Sequence, residues 1–85
     1  MAKMLRITDS DVAGAVRSAA SGSRSANMLR SGLEIVIRSG SSTVSLDYVE
    51  HAIDSLVDYF ISSGEASKCK RYFENLYDEQ QEASA

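Results

Sequence analysis

The residue types that most often carry out chemistry are scarce in this chain of 85 residues. There is one His and one Cys, and His51 and Cys69 stand 18 positions apart, so a single chain cannot assemble a zinc site from them. His51 falls on the polar side of a predicted helix, and Cys69 falls on the apolar stripe of another. The carboxylates form a solvated helix face rather than an isolated pair, and no Gly-rich phosphate loop occurs. We therefore predict no enzymatic activity, no metal site and no cofactor.

A second group of polar residues, in the segment ASGSRSANMLRSGLEIVI at residues 20–37, is suited to binding an anion. Arg24 and Ser25 stand where a helix is predicted to begin, with Ser25 as its N-cap. A helix N-terminus carries unpaired N–H groups and about half a positive charge, so an arginine beside it favours phosphate. An ordinary capped helix in a polar loop would show the same residues, and that alternative stays open.

The net charge of −3 conceals an asymmetry between the two halves of the chain. Residues 1–40 carry six Lys or Arg against three acids, whereas residues 41–85 carry three against nine. This indicates either that one half faces an anion and the other avoids it, or that the halves attract each other. No apolar run suggests a signal peptide or a membrane span, and a single Cys fits a reducing compartment, so we expect a cytoplasmic protein.

The first elements are predicted to be a short strand and a capped helix. Residues 3–8 alternate, with Leu5 and Ile7 pointing to one face. Thr8 then has the spacing of an N-cap, and Asp11 completes a capping box. Gly22 is suited to the helix end that follows.

A second helix is predicted from about Ala26 to Ser39, with Gly40 as its stop. The segment GSSTV that follows reads as a flexible linker. The fold class expected from these elements is mainly α, with a short N-terminal strand and about four helices; the alternative is an all-α four-helix bundle.

The third helix is predicted to begin after an N-cap at Ser45 and to continue until Gly64. Its apolar residues follow steps of 3, 4, 3 and 4, a seam suited to a partner helix or an oligomer interface: Leu46, Val49, Ile53, Leu56 and Phe60. The fourth helix places Cys69 and Phe73 inward. The terminal DEQQEASA is polar and is expected to fray.

The segment GSRSANMLRSGLEIV resembles the loop and second helix of the ribbon-helix-helix DNA-binding proteins. Together with the short strand and the helix that precede it, the resemblance covers residues 3–38. In that pattern a Gly ends the first helix, a Ser/Arg-rich loop follows, and apolar residues stand six, seven and eleven positions after the Gly. Here these positions are Gly22, Met28, Leu29 and Leu33. The first helix is about half a turn shorter than is usual in the family.

The resemblance implies a small dimeric transcriptional regulator, a repressor or an antitoxin-like protein, that binds double-stranded DNA. Two chains would pair their N-terminal strands into a ribbon that enters the major groove. Arg6 and Thr8 would then face base edges, while Lys3, Arg24 and Ser25 would hold phosphates.

On this interpretation residues 1–40 form the DNA-binding segment. Residues 41–85 form an acidic helical module for oligomerisation or for a basic protein partner.

Two alternatives stand beside this hypothesis. Residues 38–53 are similar to the loop and last helix of the histone fold, but its long central helix would have to run through SAASGSRS. The rival function is a small, all-helical adaptor or inhibitor that binds protein and not DNA. The two functions differ in residues 3–8, which the regulator needs as an intermolecular strand.

Overall fold

A computed structural model describes residues 3–37 and 41–84. Within these ranges the chain forms two strands and four helices: β1 (Met4–Thr8), α1 (Asp9–Ala19), α2 (Ser23–Val36), β2 (Ser41–Ser45), α3 (Leu46–Asp54) and α4 (Ser63–Ser84). The predicted fold class, mainly helical with a short N-terminal strand and about four helices, is confirmed.

The strand β1 pairs with β2 of the same chain in an antiparallel ribbon, with Arg6 opposite Thr43 at its centre. Leu5 and Ile7 are fully buried beneath the ribbon, and Arg6 and Thr43 are exposed on its other face. From the sequence, the N-terminal strand was expected to pair with the same strand of a second chain. The structure supplies the paired strand from residues 41–45. The prediction of a flexible linker is therefore wrong for the SSTV part of GSSTV, and Gly40 lies outside the described residues. Pairing with β1 overrides the weak strand preference of the serines.

The two strands begin two similar halves of the chain. The segment ITDSDVAGAV at 7–16 and the segment VSLDYVEHAI at 44–53 each hold the end of a strand, an N-cap and an apolar helix face. Thr8 accepts a hydrogen bond from the N–H of Asp11, and Ser45 accepts one from the N–H of Tyr48. The acceptor and the donor of the second bond each stand 37 positions after their counterparts in the first. Because Arg6 and Thr43 are also 37 positions apart, a pseudo-two-fold axis passes between them.

The helices follow the same approximate symmetry. α1 packs against α2 and α4, and α3 packs against α4 and α2, so the four helices form a bundle with the ribbon at one end. One continuous core contains buried side chains from all four helices and β1, among them Leu5, Val16, Leu33, Val49 and Phe73. A side chain at Gly14 would collide with the Tyr72 hydroxyl, which explains why α1 tolerates a glycine there.

Helix α2 differs from the prediction at both ends. It begins at Ser23 after Gly22, and no side chain caps it, so the predicted N-cap at Ser25 is wrong. The helix starts earlier because the N–H of Ala26 already bonds to the carbonyl of Gly22, at 3.0 Å. It ends at Val36, and the predicted stop at 39–40 lies outside the described residues.

The third predicted helix is interrupted, and the prediction that it runs to Gly64 is wrong. α3 ends at Asp54, and the loop that follows holds Asp58 at a φ of 80°, a left-handed conformation that a helix continuing through this residue could not contain. Ser62 and Glu65 then exchange the two hydrogen bonds of a capping box, at 2.9 and 3.1 Å, and begin α4. Gly64 therefore lies in the first turn of α4.

The end of α4 is helical through Ser84, where fraying was predicted. Gln80 explains the difference, because its side chain bonds both backbone groups of Arg6. The Arg6 N–H donates to Oε1 of Gln80 at 2.9 Å, and Nε2 of Gln80 donates to the Arg6 carbonyl at 2.7 Å. This amide closes the outer edge of β1 and anchors α4.

Gln80→Ala removes both bonds to Arg6 and is expected to lower the free energy of unfolding by about 1–2 kcal/mol, since one net hydrogen bond contributes roughly 0.5–1.5 kcal/mol. Urea unfolding measures the change. Gln81→Ala, at the exposed neighbouring position, is the control and should leave stability unchanged. Equal effects of the two substitutions would contradict the role of Gln80.

Candidate functional site

The two residues predicted to read DNA bases lie on the ribbon. Arg6 is exposed at its centre. Thr8 is engaged in the cap of α1: its Oγ1 accepts from the Asp11 N–H at 3.3 Å and donates to Oδ2 of Asp11 at 3.0 Å. The hydroxyl of Thr8 therefore serves the helix start.

Lys3, predicted to hold phosphate, lies in acidic surroundings. Its Nζ is 5.8 Å from the centre of the Tyr77 ring. It also lines a cavity of about 370 Å³ whose other polar walls are carboxylates and Tyr77; the carboxylates are Asp47, Glu50, Glu74 and Asp78. Burial, followed by a hydrogen bond and repulsion from Glu74, raises the pKa of Glu50.

The remaining predicted phosphate contacts lie at the other end of the bundle. Arg24 lines a cavity together with Glu65, at the start of α4. Arg6 is bonded to Gln80, which is 15 residues further along α4, so the two ends are about 22 Å apart at 1.5 Å per residue. The structure thus does not bring Arg6 and Arg24 together.

Glu65 joins the helix connections at that far end. Its carboxylate, 8% exposed, accepts the N–H and hydroxyl of Ser21 at 2.9 Å each and the N–H of Ser62 at 2.9 Å. These donors and the hydroxyl of Ser25 lower the pKa of Glu65 to about 2, the N–H of Ser62 contributing most. Ser25 therefore contributes to this network and not to the helix cap.

The network at Glu65 holds the turn between α1 and α2, beside which lies an open groove of about 450 Å³. Its floor consists of small apolar residues from both helices and their connection: Ala13, Val16, Ala20 and Ala26. Two exposed arginines, Arg17 of α1 and Arg30 of α2, also line it, and no acidic residue does. The groove therefore joins an apolar floor to two positive charges.

The groove and the acidic cavity lie on opposite sides of the bundle. Because α1 and α3 each pack against both α2 and α4, the α1–α2 surface is opposite the α3–α4 surface. The charge asymmetry of the sequence thus becomes a separation of charge between two faces. An ion pair on the acidic side, Lys70 to Asp54 at 2.9 Å, is partly exposed to solvent and contributes little to stability.

Most of the predicted partner seam lies in the protein's own core. Leu46, Val49 and Ile53 are at most 5% exposed, and Leu56 is partly buried against α2, where a side chain at Gly32 would lie 2.7 Å from its Cδ1. Phe60 lies in the loop after α3 and is 44% exposed.

Sequence reasoning did not single out three residues that the structure places at the groove and at the turn beside it. Arg17 and Arg30 lie 13 positions apart, and only the antiparallel packing of α1 on α2 brings them to one groove. The third, Glu65, had a usable signal in its Ser-x-x-Glu spacing, which is typical of a capping box.

The chain's single histidine and single cysteine, His51 and Cys69, lie in different surroundings. His51 is exposed, whereas Cys69 is fully buried and its burial raises the thiol pKa to about 12. Across residues 3–37 and 41–84, no three His, Cys, Asp or Glu side chains are grouped so as to hold a metal ion. In the same ranges, no helix combines the length and the apolar character needed to cross a bilayer.

Comparison of the chain with known protein families, with characterised proteins and with solved structures finds no match in any of the three.

Glu65→Gln is expected to lower the free energy of unfolding at neutral pH by about 2 kcal/mol, because an amide offers one acceptor oxygen to donors that surround two. The carboxylate's contribution is complete above about pH 5 and is lost as the pH falls from the ordinary carboxyl pKa of 4.5 towards 2. The variant should therefore approach the parent in stability at low pH.

Urea unfolding at several pH values tests this dependence, with Glu79→Gln on the exposed side of the same helix as the control. A constant difference between Glu65→Gln and the parent at every pH would show that the carboxylate charge is irrelevant.

Proposed function

We propose that the protein is a small helical protein-binding module whose groove between α1 and α2 receives an acidic amphipathic helix. The observation that carries the proposal is the lining of that groove, in which small apolar side chains form the floor, Arg17 and Arg30 stand beside it, and none of the lining residues is acidic. This corresponds to the adaptor or inhibitor class among the sequence-based alternatives.

The size of the floor residues supports a helical partner. Alanine side chains let a helix approach closely, and larger apolar side chains of the partner then fill the space above them. α1 has 11 residues, about 16 Å, so the groove accommodates about three turns of a partner helix. Carboxylates one or two turns apart on that helix would pair with the arginines at the groove's rim.

The apolar floor favours a protein over a nucleic acid for this groove. Arginines attract phosphate as well as carboxylate, but a phosphate backbone would leave Ala13, Ala20 and Ala26 without apolar contacts. An acidic amphipathic helix can contact the apolar floor with its apolar face and pair its carboxylates with Arg17 and Arg30.

The probe for this proposal is a fluorescent 18-residue peptide with Leu at helical i, i+3, i+4 spacing and Glu on the flanks. We expect binding, with amide shifts in the labelled protein centred on Ala13 and Ala26. Arg17→Glu with Arg30→Glu should weaken binding about 10-fold or more, since each exposed ion pair contributes roughly 0.2–1 kcal/mol and the reversed charges add repulsion.

Two controls define the result. Arg71→Glu removes an exposed arginine from α4 and should leave the affinity unchanged. A peptide with Lys in place of Glu should not bind; equal binding of both peptides, or shifts away from the groove, would reject the proposal.

The DNA-binding regulator implied by the sequence is our second proposal. One observation supports it: β1 is a strand and keeps Arg6 exposed on the open face of a two-stranded ribbon. A ribbon of this kind fits the major groove. The acidic residues near the end of α4, Asp78, Glu79 and Glu82, oppose it electrostatically.

Fluorescence anisotropy with a 30-base-pair mixed-sequence duplex tests the second proposal at low and moderate salt. If the ribbon enters the groove, Arg6→Ala should reduce both the affinity and its salt dependence. Arg24 lies at the other end of the bundle, about 22 Å from Arg6 as measured along the neighbouring α4. The Arg24→Ala variant should therefore bind like the parent. Absence of binding by the parent, or an unaffected Arg6→Ala variant, would contradict it.

A further inference from the structure

The two outer edges of the ribbon are unequal. Along an antiparallel strand, residues alternate between directing their N–H and carbonyl towards the paired strand and directing them outward. The Leu46 N–H bonds to the Lys3 carbonyl at 2.7 Å, so Lys3, Leu5 and Ile7 face β2. Arg6 therefore directs its backbone groups outward. On β1 that outward edge is closed, because Gln80 bonds both groups of Arg6 and Asp11 accepts the N–H of Thr8 at 2.9 Å.

The corresponding edge of β2 is open at Thr43. By the same alternation, Thr43 directs its N–H and carbonyl away from β1, and neither group has a hydrogen-bond partner in the described part of the chain. A departure from the pseudo-symmetry explains the difference. Helix α4 has 22 residues and reaches the edge of β1, whereas α2 has 14 and ends at Val36.

An exposed strand edge of this composition is suited to pairing. Protein edges are commonly protected by lysine, proline or a bulge, because an open edge recruits another strand. Residues 41–45 contain neither a charged residue nor a proline. Exposed apolar side chains also stand on the helices that flank β2, Ile35 in the last turn of α2 and Tyr48 in the first turn of α3.

We propose that β2 is a self-association edge, on which β2 of a second copy pairs antiparallel about a two-fold axis at Thr43. In this register Thr43 exchanges two hydrogen bonds with Thr43 of the second copy, and the N–H of Ser45 reaches the carbonyl of Ser41 on either side. The two ribbons join into a four-stranded sheet whose outer edges are both closed by Gln80.

A second copy fits this edge better than an unrelated extended peptide. The register is self-complementary, and the facing side chains are small hydroxyl residues that can pair across strands without charge repulsion. An unrelated peptide needs pockets for its alternate side chains. The cavity that Thr43 helps to line is not such a pocket, because its other lining residues, among them Arg6, Gln80 and Gln81, place it on the β1 side of the ribbon.

Sedimentation analysis of the full chain between about 10 μM and 1 mM tests the proposal, since a small interface gives weak association. The parent should form a dimer within this range. Thr43→Pro removes the outward N–H without breaking a bond to β1, and should weaken association at least 10-fold. Thr43→Val keeps the backbone donor and should dimerise like the parent.

Amide exchange in the unsubstituted protein gives an independent measurement should the proline variant fail to fold. Protection of the Thr43 N–H should rise with protein concentration, while that of the Arg6 N–H should stay constant. A parent that remains monomeric, a dimer that Thr43→Pro leaves intact, or a Thr43 amide whose protection is independent of concentration would each overturn the proposal.

Discussion

The pairing of β1 with β2 inside one chain is the constraint on which the rest of the structure depends. It places Leu5 and Ile7 beneath the ribbon, where all four helices contribute to one core. It also sets the starting points of α1 and α3, since each strand ends at the N-cap of the next helix. Because the central pair, Arg6 and Thr43, occupies equivalent positions in the two halves, the bundle above it is approximately two-fold.

The two halves depart from that symmetry in helix length and in charge. The longer α4 closes the edge of β1, whereas the outward backbone groups of Thr43 on β2 have no hydrogen-bond partner among residues 3–37 and 41–84. The halves also differ in charge, so that the α1–α2 surface carries Arg17 and Arg30 while the α3–α4 surface carries carboxylates. The two proposed binding surfaces, the α1–α2 groove and the edge of β2, both arise from these departures.

Local signals in the sequence were sufficient for the helix starts that use side-chain caps. The N-cap at Thr8 with its capping-box partner Asp11, and the N-cap at Ser45, form as predicted, because capping depends on residues within one turn. The start of α2 was misjudged because Gly22 supplies only its backbone, whereas Ser25 looked like the better cap.

Features that depend on distant parts of the chain were not predictable in the same way. Residues 41–45 are mostly serine and become a strand only because β1 offers a partner. The polar end of α4 remains helical because Gln80 reaches Arg6, 74 positions away. The groove likewise requires the packing of α1 on α2 to bring Arg17 and Arg30 together, and no spacing rule in the sequence indicates it.

The most direct measurement of the central claim is the Hα–Hα nuclear Overhauser effect between Arg6 and Thr43, recorded on a mixture of isotope-labelled and unlabelled chains. In an antiparallel pair without mutual hydrogen bonds these protons face each other across Cα atoms about 4.5 Å apart. The account predicts a strong signal within a single labelled chain. A signal seen only between labelled and unlabelled chains, or none at all, would contradict it.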